Sequence, residues 1–278
     1  MTTTLHQSVR FVLVEPSHPG NIGAVARAIK TMGFGHLALV NPKKFPDDEA
    51  SARASGANDI LDQANVYSSL EDAIADCEFV VGTSVRDRQI SWPVLSPRET
   101  ATKLCNLLST ANLQQLDSQD TKATVAVLFG RERTGLENHE LDHAQWQIRI
   151  PANAEYSSLN LASAAQIIAY EFNVCFSAFV AKLIENSEEE SRSDDGIGEA
   201  KTGVELRQRL ATHQEMQGFY QHLEATLLEL DFIKTNPPTK LLRKIIRLYN
   251  RSHVTFEELQ ILRGMLTATQ QKIAQQSE

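Results

Sequence analysis

Residues 16–35, PSHPGNIGAVARAIKTMGFG, open as a loop of Pro, Ser, His, Gly and Asn and close as an amphipathic helix. Ile22, Val25, Ala28, Ile29 and Met32 recur at helical spacing and make one apolar stripe, while Gly23, Arg27 and Lys30 fall on a different face. Aliphatic runs at 9–14 before this stretch and at 36–40 after it read as strands. Two strands joined by one helix are the unit of a parallel sheet, so this stretch sets the expectation of an α/β fold.

The same alternation continues outward from it. Further strands are expected at 78–81, 124–129 and 147–150, and helices at 22–32, 70–77, 97–108, 136–144 and from about 159 to 184. The strand segments are almost continuously apolar, as where both faces of a sheet are covered. Residues 109–122, STANLQQLDSQDTK, are polar and aperiodic and read as a surface loop.

Composition bounds the function. A chain of 278 residues with 42% hydrophobic content has material for one large domain or two. Apolar runs such as 11–14 and 123–129 are too short to cross a bilayer, and no charged-then-apolar leader precedes Val9, so the expectation is a cytoplasmic protein without a membrane partner. Cys77, Cys105 and Cys175 lie far apart with no CxxC pattern, and the histidines show no HxxxH or HExxH spacing; neither a disulfide framework nor a metal site is expected.

Net charge is −8, which disfavours a polyanionic partner, but the charge is unevenly spread. Residues 185–200, ENSEEESRSDDGIGEA, concentrate acids, Ser and Gly and read as a solvated linker; residues 234–251 hold six basic residues and no acid. Beyond the linker the pattern is wholly helical: 206–230, a helix opened by Pro237 and Pro238, and a third helix with Thr255 and Glu258 in capping-box register. Three parts follow: residues 1–184, a linker at 185–203, and a small all-α unit at 204–278. The basic face of the second helix, with Lys240, Arg243, Lys244 and Arg247, is either a solvated side or a surface for RNA phosphates.

Three stretches carry loop-forming Gly and Asn just after a strand, where α/β folds place ligands. In the first, Arg27 is either a surface charge or a fork aimed at a phosphate or carboxylate, and the glycines around Asn21 leave room for a ligand. The second, LFGRERTGLENHEL at 128–141, permits close approach of backbone to a flat or anionic ligand; its plainer reading is a turn in which Glu132 pairs with a neighbouring Arg. It is not a phosphate loop of the GxxxxGK[ST] kind, and no GxGxxG or GxSxG occurs. In the third, IPANAEYSSLNLASAAQIIAYEF at 150–172, Ser157 and Ser158 are good helix caps and Asn160 begins the first turn.

In this order PGNIGAVARA, LFGRERTGLEN and YSSLNLASAAQI resemble the three motifs of the SPOUT superfamily of S-adenosylmethionine-dependent RNA 2′-O-ribose methyltransferases. The span RFVLVEPSHPGNIGAVARAIKTMGFGHLALVNP, with VVGTSVRDR and AEYSSLNLASAAQIIAYE, is most similar to the bacterial tRNA (cytidine/uridine-2′-O-)-methyltransferases, which act on position 32 of the anticodon loop. The resemblance covers roughly the first 175 residues. It implies a parallel sheet with a deep trefoil knot near residues 128–165, which composition could not suggest because knots are rare. It also implies a homodimer with the active site near the subunit interface. Donor-binding positions carried over are Thr83, Ser84, Val85, Gly130, Ile150, Ser157, Ser158, Leu159 and Asn160; catalytic ones are Arg27 and Ser158, helped by Asn21 and Glu132. A guanidinium stays protonated, so Arg27 is either one member of a proton relay with a phosphate or the donor that steadies the developing alkoxide; the second role is favoured.

Overall fold

A computed structural model describes residues 4–85, 93–112, 124–192, 209–234 and 240–276. The expected loop at 109–122 lies mostly outside these, as do linker residues 193–203, Pro237 and Pro238, and the end of VVGTSVRDR.

In chain order the first elements are α1 (Thr4–Gln7), β1 (Val9–Val14), α2 (Pro19–Thr31), β2 (His36–Val40), α3 (Asp48–Ala54), α4 (Asn58–Asp62), β3 (Asn65–Tyr67), α5 (Leu70–Ile74) and β4 (Phe79–Thr83). They continue as β5 (Val94–Leu95), α6 (Pro97–Asn112), β6 (Val125–Phe129), α7 (Asn138–Leu141), β7 (Trp146–Ile148) and α8 (Leu161–Arg192). Three C-terminal helices follow: α9 (His213–Glu229), α10 (Lys240–Asn250) and α11 (Phe256–Gln276).

The seven strands form one sheet in the order β3-β2-β1-β6-β4-β7-β5, and every pairing is parallel. Alternation along each strand splits the core in two. Phe11, Leu13, Leu39, Val81, Val127 and Phe129 point to one face, under α2, α6 and α8. Val12, Val14, Val40, Val80 and Leu128 point to the other, under α5 and α7. Both faces are covered, which is why these strands read as unbroken apolar runs.

Several boundaries differ from expectation. β3 and β5 carried no periodic signal, having only three and two residues. α8 does not stop at 184 but runs to Arg192, past the start of the acidic segment. α9 begins at His213 rather than 206, because Thr212 and Glu215 close a capping box there and Leu210 bridges to Thr255 instead. One helix, Leu161–Glu185, is long and apolar enough to cross a membrane by length and composition, at mean hydropathy 1.6. Its Ile168, Ala169, Phe172 and Phe176 are instead buried on the sheet, so a core helix explains that side.

Gly20 and Gly23 do not open α2 to a ligand. A Cβ on Gly23 would overlap the carbonyl of Ala50, and one on Gly20 would meet the Glu49 side chain; these glycines let α2 and α3 pack backbone to backbone.

The C-terminal helices share a small core of Met216, Phe219, Tyr220, Leu223 and Leu259. They dock where β4 begins: the backbone N–H groups of His213 and Gln214 donate to the carbonyls of Cys77 and Ala75, at 2.7 and 3.0 Å. These are free donors of the first turn of α9, satisfied by the other unit.

Candidate active site

At the opposite, carboxyl ends of β4, β6 and β7 lies a cavity of about 350 Å³. It is where an open parallel sheet places its ligand, and its size suits a cofactor-sized molecule. Thr83, Ser84 and Val85 form one wall, the loop 130–136 a second, and Ile148, Ile150, Ser158 and Leu159 the rest. The wall at 83–85 is held by its backbone: Ser84 N donates to Ile148 O at 3.1 Å, and Gln147 Nε2 donates to Ser84 O at 3.0 Å.

The loop after β6 is a tight turn. Gly135 N donates to Arg131 O at 2.8 Å, and Gly135 sits at φ 69°, in the left-handed region. A Cβ on Gly130 would overlap the backbone of Gly135 and Leu136, so the turn closes back on its own start with no room for a side chain.

Within GRERTG, adjacent charges part company. Arg131 turns away from Glu132 and grips Glu15, Nε to Oε2 at 2.8 Å, and the 3%-exposed Glu140, Nη1 to Oε1 at 3.0 Å. Arg131 holds the Glu15 carboxyl below its ordinary range. Glu132 therefore does not pair with its neighbouring arginines in the manner of a simple turn. Its Oε2 accepts from Ser17 Oγ at 2.8 Å, and its Oε1 from Asn21 Nδ2 at 3.0 Å and His18 N at 3.2 Å; Ser17 N donates to both oxygens. Burial opposes the charge on Glu132, but the hydrogen bonds from Asn21, its own backbone and Ser17 outweigh it and hold the pKa down to about 2. A carboxylate so committed is an acceptor that orients its donors, and a poor base.

Asn21 carries the chain of contacts onward. Its Oδ1 accepts from Asn160 Nδ2 at 3.1 Å, and Asn160 Oδ1 accepts from Ala162 N at 2.9 Å, making Asn160 the cap of α8. The cap is thus Asn160, not Ser157 or Ser158, because α8 starts at Leu161.

Of the expected donor-binding residues, Thr83, Ser84, Val85, Gly130, Ile150, Ser158 and Leu159 line the cavity, together with Glu132. Ser157 and Asn160 lie outside the lining, Asn160 at its rim through Asn21. Arg27 is also outside it, about 9 Å along α2 from Asn21 at the helical rise of about 1.5 Å per residue. It is exposed, and among the described residues its guanidinium makes no hydrogen bond or ion pair. Sequence reasoning missed Ser17, Arg131, Arg133 and Thr134; the last three line the cavity, and the dense charge of GRERTG was the available signal.

The basic helix is less free than its composition suggested. Arg243, expected to meet RNA phosphate, forms a two-pronged pair with Asp142, at 3.0 and 2.9 Å. Lys244 is exposed, and the side chain of Lys240 lies outside the described residues. Among the described residues no group of three His, Cys, Asp or Glu side chains converges.

Comparison with known proteins agrees with this geometry. The family model for the SpoU rRNA methylase family matches residues 8–170, and that for the tRNA methyltransferase TrmJ C-terminal domain matches residues 214–278. The tRNA (cytidine/uridine/adenosine-2′-O-)-methyltransferase TrmJ of Pseudomonas aeruginosa is 43% identical over 262 residues, 94% of this chain and 93% of its own. The tRNA (cytidine/uridine-2′-O-)-methyltransferase TrmJ of Klebsiella pneumoniae is 43% identical over 267 residues, 96% and 98% of the two chains. Among solved structures, TrmJ from Z. mobilis ZM4 superposes with a TM-score of 0.72 at 29% identity, covering 94% of this chain and 98% of that one.

Proposed function

Since the chain belongs to the SpoU rRNA methylase family, we propose that it transfers a methyl group from S-adenosylmethionine to the 2′-oxygen of a tRNA ribose, at the cytidine or uridine of position 32. The observation that carries this is the run Glu132–Asn21–Asn160, which ties the three sequence motifs together at the rim of one cavity. The relatives named for tRNA 2′-O-methylation match over nearly the whole chain, both the sheet and the C-terminal helices.

The cavity fits such a donor. Val85, Ile148, Ile150 and Leu159 offer apolar contact to an adenine ring, and the backbone of residues 130–136 and the hydroxyls of Thr83, Ser84 and Ser158 offer polar contact. The bound donor supplies the methyl group; the protein supplies placement. Asn21, fixed between Glu132 and Asn160, and Ser158 at the cavity wall orient the ribose; its 2′-oxygen takes the methyl group as the donor's carbon–sulfur bond breaks to leave a thioether, the hydroxyl proton passes to water, and placement of this kind accounts for most of the rate. Arg27 lies outside this cavity and has no competing carboxylate among the described residues, so its guanidinium would steady the oxygen that loses its proton from a second copy of the chain, across the interface that completes the site.

Exposed apolar side chains surround this region. Val85 and Leu159 line the cavity and are partly exposed, Tyr156 nearby in the chain is exposed, and Tyr170 and Val174 lie on α8, 51% and 39% exposed. A helix this apolar with so much of its surface uncovered favours a second copy of the chain as its partner, making a homodimer with the site near the interface. The knotted path of the family is expected over residues 128–165, and Lys240, Lys244 and Arg247 are the candidate phosphate contacts. The expected compartment is the cytoplasm, where tRNA is modified.

Titration of S-adenosylmethionine into the protein by calorimetry, with and without tRNA, tests this reading. Binding is expected in at least the tRNA-containing titration; heat absent from both would reject it.

A further inference from the structure

Besides the contacts of His213 and Gln214, one short helix, α7, meets the C-terminal helical unit. α7 has a single turn, too short to hold its own shape, so its position is set by what grips its ends. On the inner side, Glu140 accepts from Arg131, whose next residue is Glu132, the carboxylate that places Asn21. At the C-terminal end, the Asp142 carboxylate takes both prongs of Arg243 from α10, and its carbonyl accepts from Asn250 Nδ2 at 3.1 Å. Asn250 is in turn locked by the buried Tyr220 hydroxyl, which donates to its Oδ1 at 2.6 Å. A continuous polar run therefore leads from the core of the C-terminal helices to the rim of the cavity.

We propose that Asp142 is a positioning residue for methyl transfer: by clasping Arg243 it ties the C-terminal helical unit to the loop that presents Glu132. Arg243 then works through Asp142 rather than on RNA. The pair is a two-pronged one, the geometry that fixes direction as well as distance, and both side chains are only about a quarter to a third exposed. tRNA held by the helical unit and the ribose-orienting Asn21 share one framework, and loosening the clasp leaves both partners present but misaligned. The inference rests on the function proposed above.

The test uses the full chain, a tRNA transcript and S-adenosylmethionine. Asp142→Asn and Arg243→Gln are each expected to lower kcat about 5- to 20-fold, within the range of couplings carried by such networks. The double variant is expected to be no slower than either single one, and the exchange Asp142→Arg with Arg243→Asp to recover most of the lost kcat. Donor-binding stoichiometry counts the folded fraction, so simple unfolding would lower that number and leave kcat per site unchanged. The milder Arg243→Lys, which keeps the charge but loses the two-pronged grip, should fall between wild type and Arg243→Gln. The proposal is overturned if Asp142→Asn keeps the wild-type kcat while Arg243→Gln raises only the KM for tRNA, the pattern of a phosphate contact. A wild-type chain that transfers no methyl group would instead overturn the function and this inference together.

Discussion

Replacing Glu132 by Gln probes the site at its most connected atom pair. The carboxylate receives hydrogen bonds from Ser17 N and Oγ, His18 N and Asn21 Nδ2, all within 3.2 Å. The amide keeps one acceptor oxygen and puts an N–H₂ where the second oxygen met Ser17, so two donors face each other across about 3 Å. The carboxyl's fall from its ordinary 4.5 to about 2 corresponds to a ceiling of about 3 kcal/mol, and partial exposure to water reduces it to about 1–2 kcal/mol. Because the folded pKa is depressed, this contribution is complete above pH 4.5 and is lost as pH falls toward 2. Above pH 5 Glu132 is fully ionised, so the wild-type kcat should show no limb due to it. Glu132→Gln should lower kcat by about 10- to 100-fold, the scale of a misplaced orienting group. Donor affinity should stay within about threefold, since the altered hydrogen bonds run to Ser17, His18 and Asn21, none of which lines the cavity. Radiolabelled methyl transfer to tRNA across pH 5–9, with calorimetry for donor binding, reads each term. An unchanged kcat, or an acidic limb that the Gln variant abolishes, would refute an orienting role and make Glu132 a base.

Three further perturbations test separate parts. Arg27→Lys keeps the charge but loses the fork, and should cost about 10²-fold in kcat with donor binding intact; retained activity in the same transfer assay would remove Arg27 from the mechanism. Gly23→Ala drives a Cβ into the Ala50 carbonyl, and the resulting overpacking should cost about 1–2 kcal/mol after the gain in helix propensity. A Tm lower by several degrees in a thermal melt is expected, and no change would mean that α2 and α3 are less tightly packed. Tyr170→Glu with Val174→Glu places charges on the uncovered side of α8; sedimentation should show a dimer for wild type and a monomer for this variant, and a wild-type monomer would reject the interface.

The sheet was legible because its central strands are covered on both faces. Val9–Val14 and Val125–Phe129 leave almost no side chain exposed, so their apolar runs are unbroken. β3 sits at an edge and is half exposed, and a three-residue strand leaves no period to read. Local chemistry misled in one place and sufficed in another. The glycines before Arg27 looked like room for a ligand but serve helix packing, whereas the capping box read at Thr255 and Glu258 does open α11; the equivalent box of Thr212 and Glu215, which sets the start of α9, went unread. Contacts between distant residues were out of reach. Arg131 finds Glu15 across 116 positions, and Arg243 finds Asp142 across 101. Arg131 had acids nearby in the chain, so the adjacent Glu132 was the expected partner; Arg243 looked like a free cation because no acid stands near it in the sequence.

Methylation of a tRNA ribose in this cavity is tested most directly by its product. Purified wild-type protein should be incubated with S-adenosylmethionine and unmodified tRNA, and the 2′-O-methyl groups mapped nucleotide by nucleotide. A single new 2′-O-methyl group is expected, at cytidine or uridine 32, and it is lost with Arg27→Lys. A methyl group on a base, or a tRNA that leaves the reaction unmodified, would contradict it.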